Sequence, residues 1–329
     1  MLLRPTIKDV AQKAGVANST VSYYLNGTKN LKPETIEKIK NAIEELSYIP
    51  RVAARSLKTK QTRTIGVIVP DIKNSFFTEI ICGIEDIAFA NGFSVILCNT
   101  REDNDKEQQY LNILISKDID GLIYISTSND MNILDNLDNF PIVMVDRKVS
   151  KAVSTVCGNS ILGGYLATKH LLEKYGFPVY LITGTLEVST YRERMLGYIN
   201  ALREFGFRYD ESFVYQGNIS FESGVELTTR LINSGCSVRS VFATNDILAL
   251  GALKVFSKEG YTPGKDVFLV GYDDSELNTV LSPALSSVCQ PKYEMGVASA
   301  GLLIRQITEK QKITELIIMD PQLIIRGTS

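Results

Sequence analysis

Six places in this 329-residue chain carry side chains suited to gripping a small polyhydroxylated molecule. Asn74 precedes Phe76 and Phe77, Asp146 adjoins Arg147, and Arg194 closes the run Tyr191-Arg192-Glu193-Arg194. Asn245, Asp273 and Gln290 complete the set. Carboxylate, guanidinium and amide groups are planar and offer two hydrogen-bonding atoms in a fork, which matches a pair of adjacent hydroxyls; aromatic rings cover the apolar C–H faces of a sugar. Taken singly, each has a plainer explanation. Asp146-Arg147 suits a local ion pair, Phe76 and Phe77 suit a core, and Asp273 suits a helix cap. Their shared position favours one site, because each follows closely on an apolar run, and ligands of open α/β sheets bind beyond the carboxyl ends of the strands.

A different chemistry belongs to the N-terminal part. Residues 1–60 carry a formal charge of +6 and the remainder −8, an asymmetry hidden in the net charge of −2. A basic module ahead of an acidic one suits phosphate neutralisation on DNA, where displaced counterions supply the driving force. Asn18, Ser19, Ser22 and Tyr23 are the polar residues there that could read bases and phosphates.

The elements that must position these groups follow from periodicity. Thr6 and Asp9 form a capping-box-like start, with Val10, Ala11 and Ala14 on one helical face; Gly15 permits a tight turn. A second short helix runs to the Asn26-Gly27 stop with Val21 and Leu25 facing inward. A third begins at Pro33 and spaces Ile36, Ile39, Ile43 and Leu46 by three or four. From Thr64 onward, strands are expected at 65–69, 95–98, 121–125 and 142–145, with helices at about 77–91 and 106–116. A second series of strands is expected at 179–183, 214–216, 241–243 and 267–271. Such alternation predicts parallel sheets with helices on both faces, and two series predict two lobes with a cleft between them.

Other function classes find little support. The one histidine, His170, sits at helical spacing from Leu166 and Lys174 and reads as a surface or half-buried residue rather than a catalytic base. No P-loop, dinucleotide fingerprint or nucleophile elbow is present, so no catalytic residues and no cofactor are expected. The five cysteines show no C-x-x-C pair, which argues against a metal site and a disulfide framework, and free, mostly buried thiols are expected. No apolar run approaches the roughly 20 residues that span a bilayer, and the N-terminus lacks the marks of a secretion signal, so a cytoplasmic location is expected.

The string Thr-Ile-Lys-Asp-Val-Ala-x-x-Ala-Gly-Val at 6–16, with Ser-Thr-Val-Ser at 19–22 and Leu-Asn-Gly at 25–27, resembles the lac repressor and galactose repressor family of bacterial transcriptional regulators. The likeness continues through Tyr48-x-Pro50 to Ala53-Ala54-Arg55-Ser56-Leu57, which looks like the family's hinge helix. It implies DNA contacts from Thr6, Asn18, Ser19, Thr20, Ser22, Tyr23 and Asn26, with Ala54 and Leu57 entering the minor groove, where an apolar wedge kinks the duplex. Two departures are Ala17, where the family usually has a capping Ser, and Tyr23, where many members have Arg.

The remainder resembles periplasmic sugar-binding proteins, and its ribose-type branch above all. In that branch Asn74, Phe76, Phe77, Asp146, Arg147, Arg194, Asn245, Asp273 and Gln290 stand at the ribose contacts. Gly158 departs from the pattern, since an Asp precedes Asn159 in many relatives.

The resemblance implies a helix-turn-helix headpiece with hinge helix over 1–62 and a two-lobed α/β effector and dimerisation domain over 63–329. Lobe one would take about 63–160 and 292–322, and lobe two about 161–291 and 323–329. The expected protein is a homodimeric repressor of ribose-utilisation genes. Its hold on pseudo-palindromic operator DNA would change when ribose or a related sugar shifts the population of lobe arrangements. The alternatives are a catabolite-control regulator with a phosphocarrier protein as corepressor, and a regulator responding to another sugar or a nucleoside.

Overall fold

The computed structural model describes residues 5–49, 61–126, 137, 140–147 and 153–329. The hinge residues Ala54 and Leu57 lie outside the described residues, as does the side chain of Asn26. The chain divides into two compact units, Met1–Thr62 and Arg63–Ser329.

The first unit holds α1 (Ile7–Ala14), α2 (Asn18–Asn26) and α3 (Pro33–Glu45). Helix α1 starts where the Asp9 carboxylate accepts hydrogen bonds from both Thr6 N and Thr6 Oγ1, each at 2.7 Å. It ends at Gly15, whose φ of +65° lies in the left-handed region that glycine enters without a Cβ penalty. Val10, Ala11, Ala14, Val21, Ile39, Ala42 and Tyr48 are buried together, with Leu25, Ile43 and Leu46 packed around them. Three amphipathic helices thus share one small core.

Ala17 caps α2 with no side-chain hydrogen bond to the free backbone N–H groups. Ala17→Ser should therefore raise headpiece stability by about 1 kcal/mol. Thermal melting followed by circular dichroism measures this, and no rise in the headpiece transition would count against the capping argument.

The second unit contains two parallel-stranded sheets. Lobe one is ordered β11-β5-β4-β3-β1-β2, from β1 (Thr64–Val69), β2 (Ser94–Asn99), β3 (Gly121–Tyr124), β4 (Ile142–Val145), β5 (Ser154–Gly158) and β11 (Leu316–Met319). Lobe two is ordered β12-β10-β9-β8-β6-β7, from β6 (Val179–Thr183), β7 (Val214–Gln216), β8 (Ser240–Ala243), β9 (Phe268–Tyr272), β10 (Ser286–Cys289) and β12 (Gln322–Ile324). Among the described strands, only β12 runs antiparallel to its neighbour. In lobe one, α4 (Ser75–Ala90) and α11 (Lys292–Glu309) cover one face and α5 (Asn104–Ser116) the other. In lobe two, α6 (Ser160–Tyr175) and α7 (Ser189–Glu204) cover one face, and α8 (Phe221–Asn233) and α9 (Asp246–Lys258) the other. A short α10 (Leu277–Val280) follows β9. The chain passes between lobes at 159, 290–291 and 320–321.

Glycines set how closely the covering helices approach. A Cβ on Gly83 would lie 2.3 Å from Tyr293 O, and one on Gly296 2.1 Å from Ile80 O, so α4 and α11 cross backbone to backbone. Gly164 and Gly197 do the same for α6 and α7, at 2.0 Å from Arg194 O and 2.1 Å from Ile161 O. Helix axes can approach this closely only where side chains are absent from the contact.

Several features differ from expectation. Strands β5 and β10 begin with Ser-Thr and Ser-Ser pairs and carry no apolar alternation, yet they lie inside their sheets because their hydroxyls find partners. Ser154 Oγ donates to Ile313 O at 2.6 Å and Ser287 Oγ to Asp246 Oδ1 at 2.7 Å. Edge strands β11 and β12 likewise lie beyond the expected series. His170 is buried, with Nε2 3.1 Å from Ser329 Oγ, so it packs beneath the end of the chain rather than at the surface. Cys82 and Cys236 are exposed thiols, whereas Cys98 and Cys157 are buried. No described helix is long and apolar enough to cross a membrane.

Candidate ligand site and DNA-reading helix

Lobe two presents a network centred on Asp273, which follows β9 directly and is buried. Its Oδ1 accepts from Gln290 Nε2 at 2.9 Å and from Arg194 Nη2 at 3.5 Å, and its Oδ2 accepts from Asn245 Nδ2. Arg194 also donates from Nη1 to Thr244 O at 2.6 Å, and its guanidinium lies 3.7 Å from the Tyr272 ring centroid, with Tyr191 further off. Burial lowers the proton affinity of Arg194, but Asp273, Tyr272, Tyr191 and Asp146 more than offset this and hold it charged. Asn245 is fixed by a second role: its Oδ1 caps α9 by accepting from Ile247 N at 2.9 Å.

The turn that presents Asp273 is strained. Asp273 and Asp274 have φ of +98° and +48°, values that L-residues adopt at a cost of about 1–3 kcal/mol each. Surrounding contacts hold it in place. Asp274 makes a forked ion pair with Arg326, at 2.5 and 3.2 Å, and buried Asp246 accepts from Ser275 N at 2.8 Å, Asn278 Nδ2 at 2.8 Å and Ser287 Oγ at 2.7 Å. Burial, with Asp273 nearby, pushes the Asp246 carboxyl up to about 7.

Lobe one supplies Asp146 and Arg147 from the end of β4, both buried. Burial pushes the Asp146 carboxyl up to about 6, against the opposing pull of Arg194 and Arg147, and it also feels the charge of Asp273. Groups from the two lobes are therefore within electrostatic reach of one another. Arg147 Nη1 donates to Ser126 O, at the end of β3. Beside it, Tyr124 Oη donates to buried Glu107 of α5.

Gly158 ends β5 where a Cβ would lie 2.2 Å from Gln290 Oε1. The missing side chain is what lets Gln290 occupy its place against Asp273. Gln290 Oε1, Arg147 Nε and Arg194 Nε are among the buried polar atoms of the described residues that have no hydrogen-bond partner. Buried polar atoms are nearly always paired, so this acceptor and these two donors are open to a polar molecule held between the lobes. No group of three or more His, Cys, Asp or Glu side chains is placed to hold a metal among the described residues.

Two family models cover almost the whole chain. Residues 6–51 match the bacterial regulatory proteins of the lacI family, and residues 62–326 match the periplasmic binding proteins and sugar binding domain of the LacI family. The chain belongs to the LacI family. It is a DNA-binding transcriptional regulator with that family's sugar-binding domain.

LacI-family relatives named HTH-type transcriptional repressor PurR include those of Histophilus somni strain 129Pt, 34% identical over 325 residues and covering 98% of both chains, and Vibrio atlanticus strain LGP32, 35% identical over 327 residues with 98% of both covered. Among solved structures, the lac repressor dimer bound to operator and the anti-inducer ONPF superposes with a TM-score of 0.90 at 26% identity, over 98% of each chain. The CelR–cellobiose complex gives 0.77 at 31% identity, over 99% of this chain and 100% of that one. A LacI family regulator from Enterococcus faecium with bound ribose gives 0.74 at 29% identity, over 81% of this chain and 98% of that one. The expected likeness to ribose repressors in particular is not carried by these two relatives, whose name is PurR.

Within this LacI-family site, Arg194, Asn245, Asp273 and Gln290 form one bonded network, with Asp146 and Arg147 in the facing lobe. Asn74, Phe76 and Phe77 have a different setting. The Asn74 amide caps α4 by accepting from Phe76 N at 3.0 Å, and both rings lie in the core of lobe one, edge to face at 5.2 Å. Sequence reasoning did not single out Tyr272 as the ring beneath Arg194, although Tyr272 immediately precedes Asp273. It also missed the Thr244 and Ser126 carbonyls, which no side-chain pattern can reveal.

In the headpiece, Asn18 and Ser19 are exposed on the first turn of α2, while Thr20, Ser22 and Tyr23 are half-buried. Lys29 Nζ lies 5.3 Å from the Tyr23 ring centroid, which adds positive charge beside a candidate reading residue. Thr6 is exposed, but its hydroxyl proton is committed to Asp9.

Proposed function

We propose that this LacI-family protein is a homodimeric repressor of sugar-utilisation genes, and that ribose or a closely related pentose, bound between the lobes, changes its hold on a pseudo-palindromic operator. The observation carrying this reading is a charge-balanced, buried site. Two carboxylates (Asp146, Asp273) and the Arg147 guanidinium stand with the amides of Asn245 and Gln290 just past the carboxyl ends of strands from both lobes, and α7 supplies a second guanidinium, Arg194. Such a set favours a neutral ligand rich in hydroxyls over a phosphorylated one, because no surplus positive charge is present to offset a phosphate. The ribose held by the related Enterococcus faecium regulator supports the same class of ligand.

The ligand would shift the population of lobe arrangements, and through the hinge the ability of paired headpieces to engage DNA. Induction, meaning release from the operator, is the expected direction. Dimerisation is supported by the lac repressor dimer, which this chain resembles along its length, and by exposed Phe89 and Leu97 on α4 and edge strand β2. Operator contacts are assigned to Asn18, Ser19, Thr20, Ser22 and Tyr23, with Thr6 and Asn26 at the edges of the motif and Ala54 and Leu57 in the hinge.

The name of the curated relatives favours a second reading, a purine base as ligand. Calorimetric titration of the full chain with D-ribose, and separately with adenine, guanine and hypoxanthine, distinguishes the two. Operator DNA for the functional assay comes from in vitro selection on a random pool. Heat with ribose and a changed operator affinity support the sugar reading. A response to a base alone overturns it, and binding of a phosphocarrier protein with no response to any small molecule replaces both.

The pH dependence of ligand affinity is a further expected outcome. A sugar hydroxyl donates to the ionised form of Asp146, so affinity should be level above about pH 7. It should fall toward ten-fold per unit as acidification protonates a carboxyl whose pKa is about 6. Titrations from pH 5 to 8 read this directly, and an affinity that stays level to pH 5 would remove Asp146 from the contacts.

A further inference from the structure

The middle crossover, Gln290-Pro291-Lys292, holds the strained Asp273-Asp274 turn by both its side chain and its backbone. Gln290 Nε2 donates to Asp273 Oδ1 at 2.9 Å. Two residues on, Lys292 Nζ donates to Asp273 O at 2.9 Å and to Asp274 O at 3.0 Å. Lys292 opens α11, a helix of lobe one packed on α4 and β3–β5, whereas Asp273 and Asp274 follow β9 in lobe two. Its ammonium thus ties the first turn of a lobe-one helix to the two main-chain carbonyls whose residues carry positive φ. Either lobe can move relative to the other only if these bonds stretch or the turn follows.

We propose that Lys292 is a positioning residue that couples occupancy of the cleft to the relative disposition of the lobes. This rests on the reading that a ligand engages Asp273. A ligand hydroxyl donating to Asp273 Oδ1 competes with Gln290 there and shifts the carboxylate. The turn is strained and held at discrete contacts, so it passes the shift to its carbonyls rather than absorbing it, and Lys292 transmits that shift to α11. Lys292 makes no ligand contact in this scheme. Its effect is on the coupling free energy and not on intrinsic affinity.

The test uses full-length native protein, Lys292→Met, which keeps an apolar stem, and Lys292→Arg, which restores donors. Operator affinity is measured by fluorescence anisotropy with and without saturating D-ribose, ribose affinity by calorimetry, and amide exchange at Asp273 and Asp274 by mass spectrometry without ligand. Lys292→Met should bind ribose within about three-fold of native. The ratio of operator affinities with and without ribose should shrink by about ten-fold, with recovery in Lys292→Arg. Exchange at Asp273 and Asp274 should quicken by about ten-fold in Lys292→Met. An unchanged ratio overturns the proposal, as does a ratio that falls only in step with ribose affinity. If native protein ignores D-ribose, the sugar reading falls and exchange decides for Lys292: quickening at both amides supports the tie, and unchanged protection overturns it.

Discussion

Asp273→Ala should abolish the response to ribose, leave operator binding in place, and cost the fold about 3–5 kcal/mol. The stability loss follows from what the carboxylate holds. Arg194 and Asp273 have side chains only 4% and 6% exposed, and removing one leaves the other's charge buried without its counterion. Gln290 and Asn245 also lose their acceptor, so three donors are stranded at once. Urea denaturation gives the stability change, and calorimetry with D-ribose gives the response. Asp273→Asn separates the two effects, because it keeps the shape of the side chain while replacing an acceptor with a donor that faces other donors. Ribose binding near the native level in Asp273→Asn would remove the carboxylate from the ligand contacts. Loss of operator binding in both variants, with the fold intact, would refute the separation of sensing from DNA reading.

Gly164→Ala should lower stability by about 1–3 kcal/mol and weaken ribose binding by ten-fold to a hundred-fold. The new methyl would sit 2.0 Å from the carbonyl oxygen of Arg194 itself, so α7 must move away from α6. The same movement displaces the guanidinium from its place over Tyr272 and beside Asp273. Neighbouring Gly163 leaves no slack, since a Cβ there would meet Tyr272 Oη at 2.2 Å. Gly301→Ala on α11 is the control: nothing lies within 4 Å of the place its methyl would take, and removing a helical glycine should stabilise by about 0.5–1 kcal/mol. If Gly164→Ala behaved like Gly301→Ala, the close crossing would not be what sets Arg194 in place.

The headpiece was almost fully legible because its signals are local. A capping Asp9, a left-handed Gly15 and a heptad-like row of Ile residues each act within one or two helical turns. The strand-end rule pointed to Asp146, Arg147, Asn245, Asp273 and Gln290, since the direction of a parallel sheet puts these positions at one end of it, whereas Arg194 lies on α7, well past the end of β6. It could not show that Asp273 gathers partners 79, 28 and 17 residues away in sequence, because such convergence depends on strand order. Phe76 and Phe77 show the opposite limit. Aromatic type suits both a sugar face and a core, and their core packing came from the turn of α4 beneath β1. Strand β5 escaped notice because Ser-Thr reads as polar until its hydroxyl is seen to be paired.

The three passages between lobes also bear on how the protein comes into being on the ribosome. Helix α11 and strand β11, both needed to complete lobe one, lie after all but the last strand of lobe two. When β1–β5 have emerged during synthesis, the face of β3–β5 that α11 will cover is still bare, and β5 still lacks its edge partner. Lobe two is equally incomplete until β12 arrives beside β10. Neither half can reach its final form as an early, self-sufficient piece, and contacts of such long sequence separation form slowly. Sensing ability would therefore appear late and all at once, when the last strands are available, rather than growing lobe by lobe as translation proceeds.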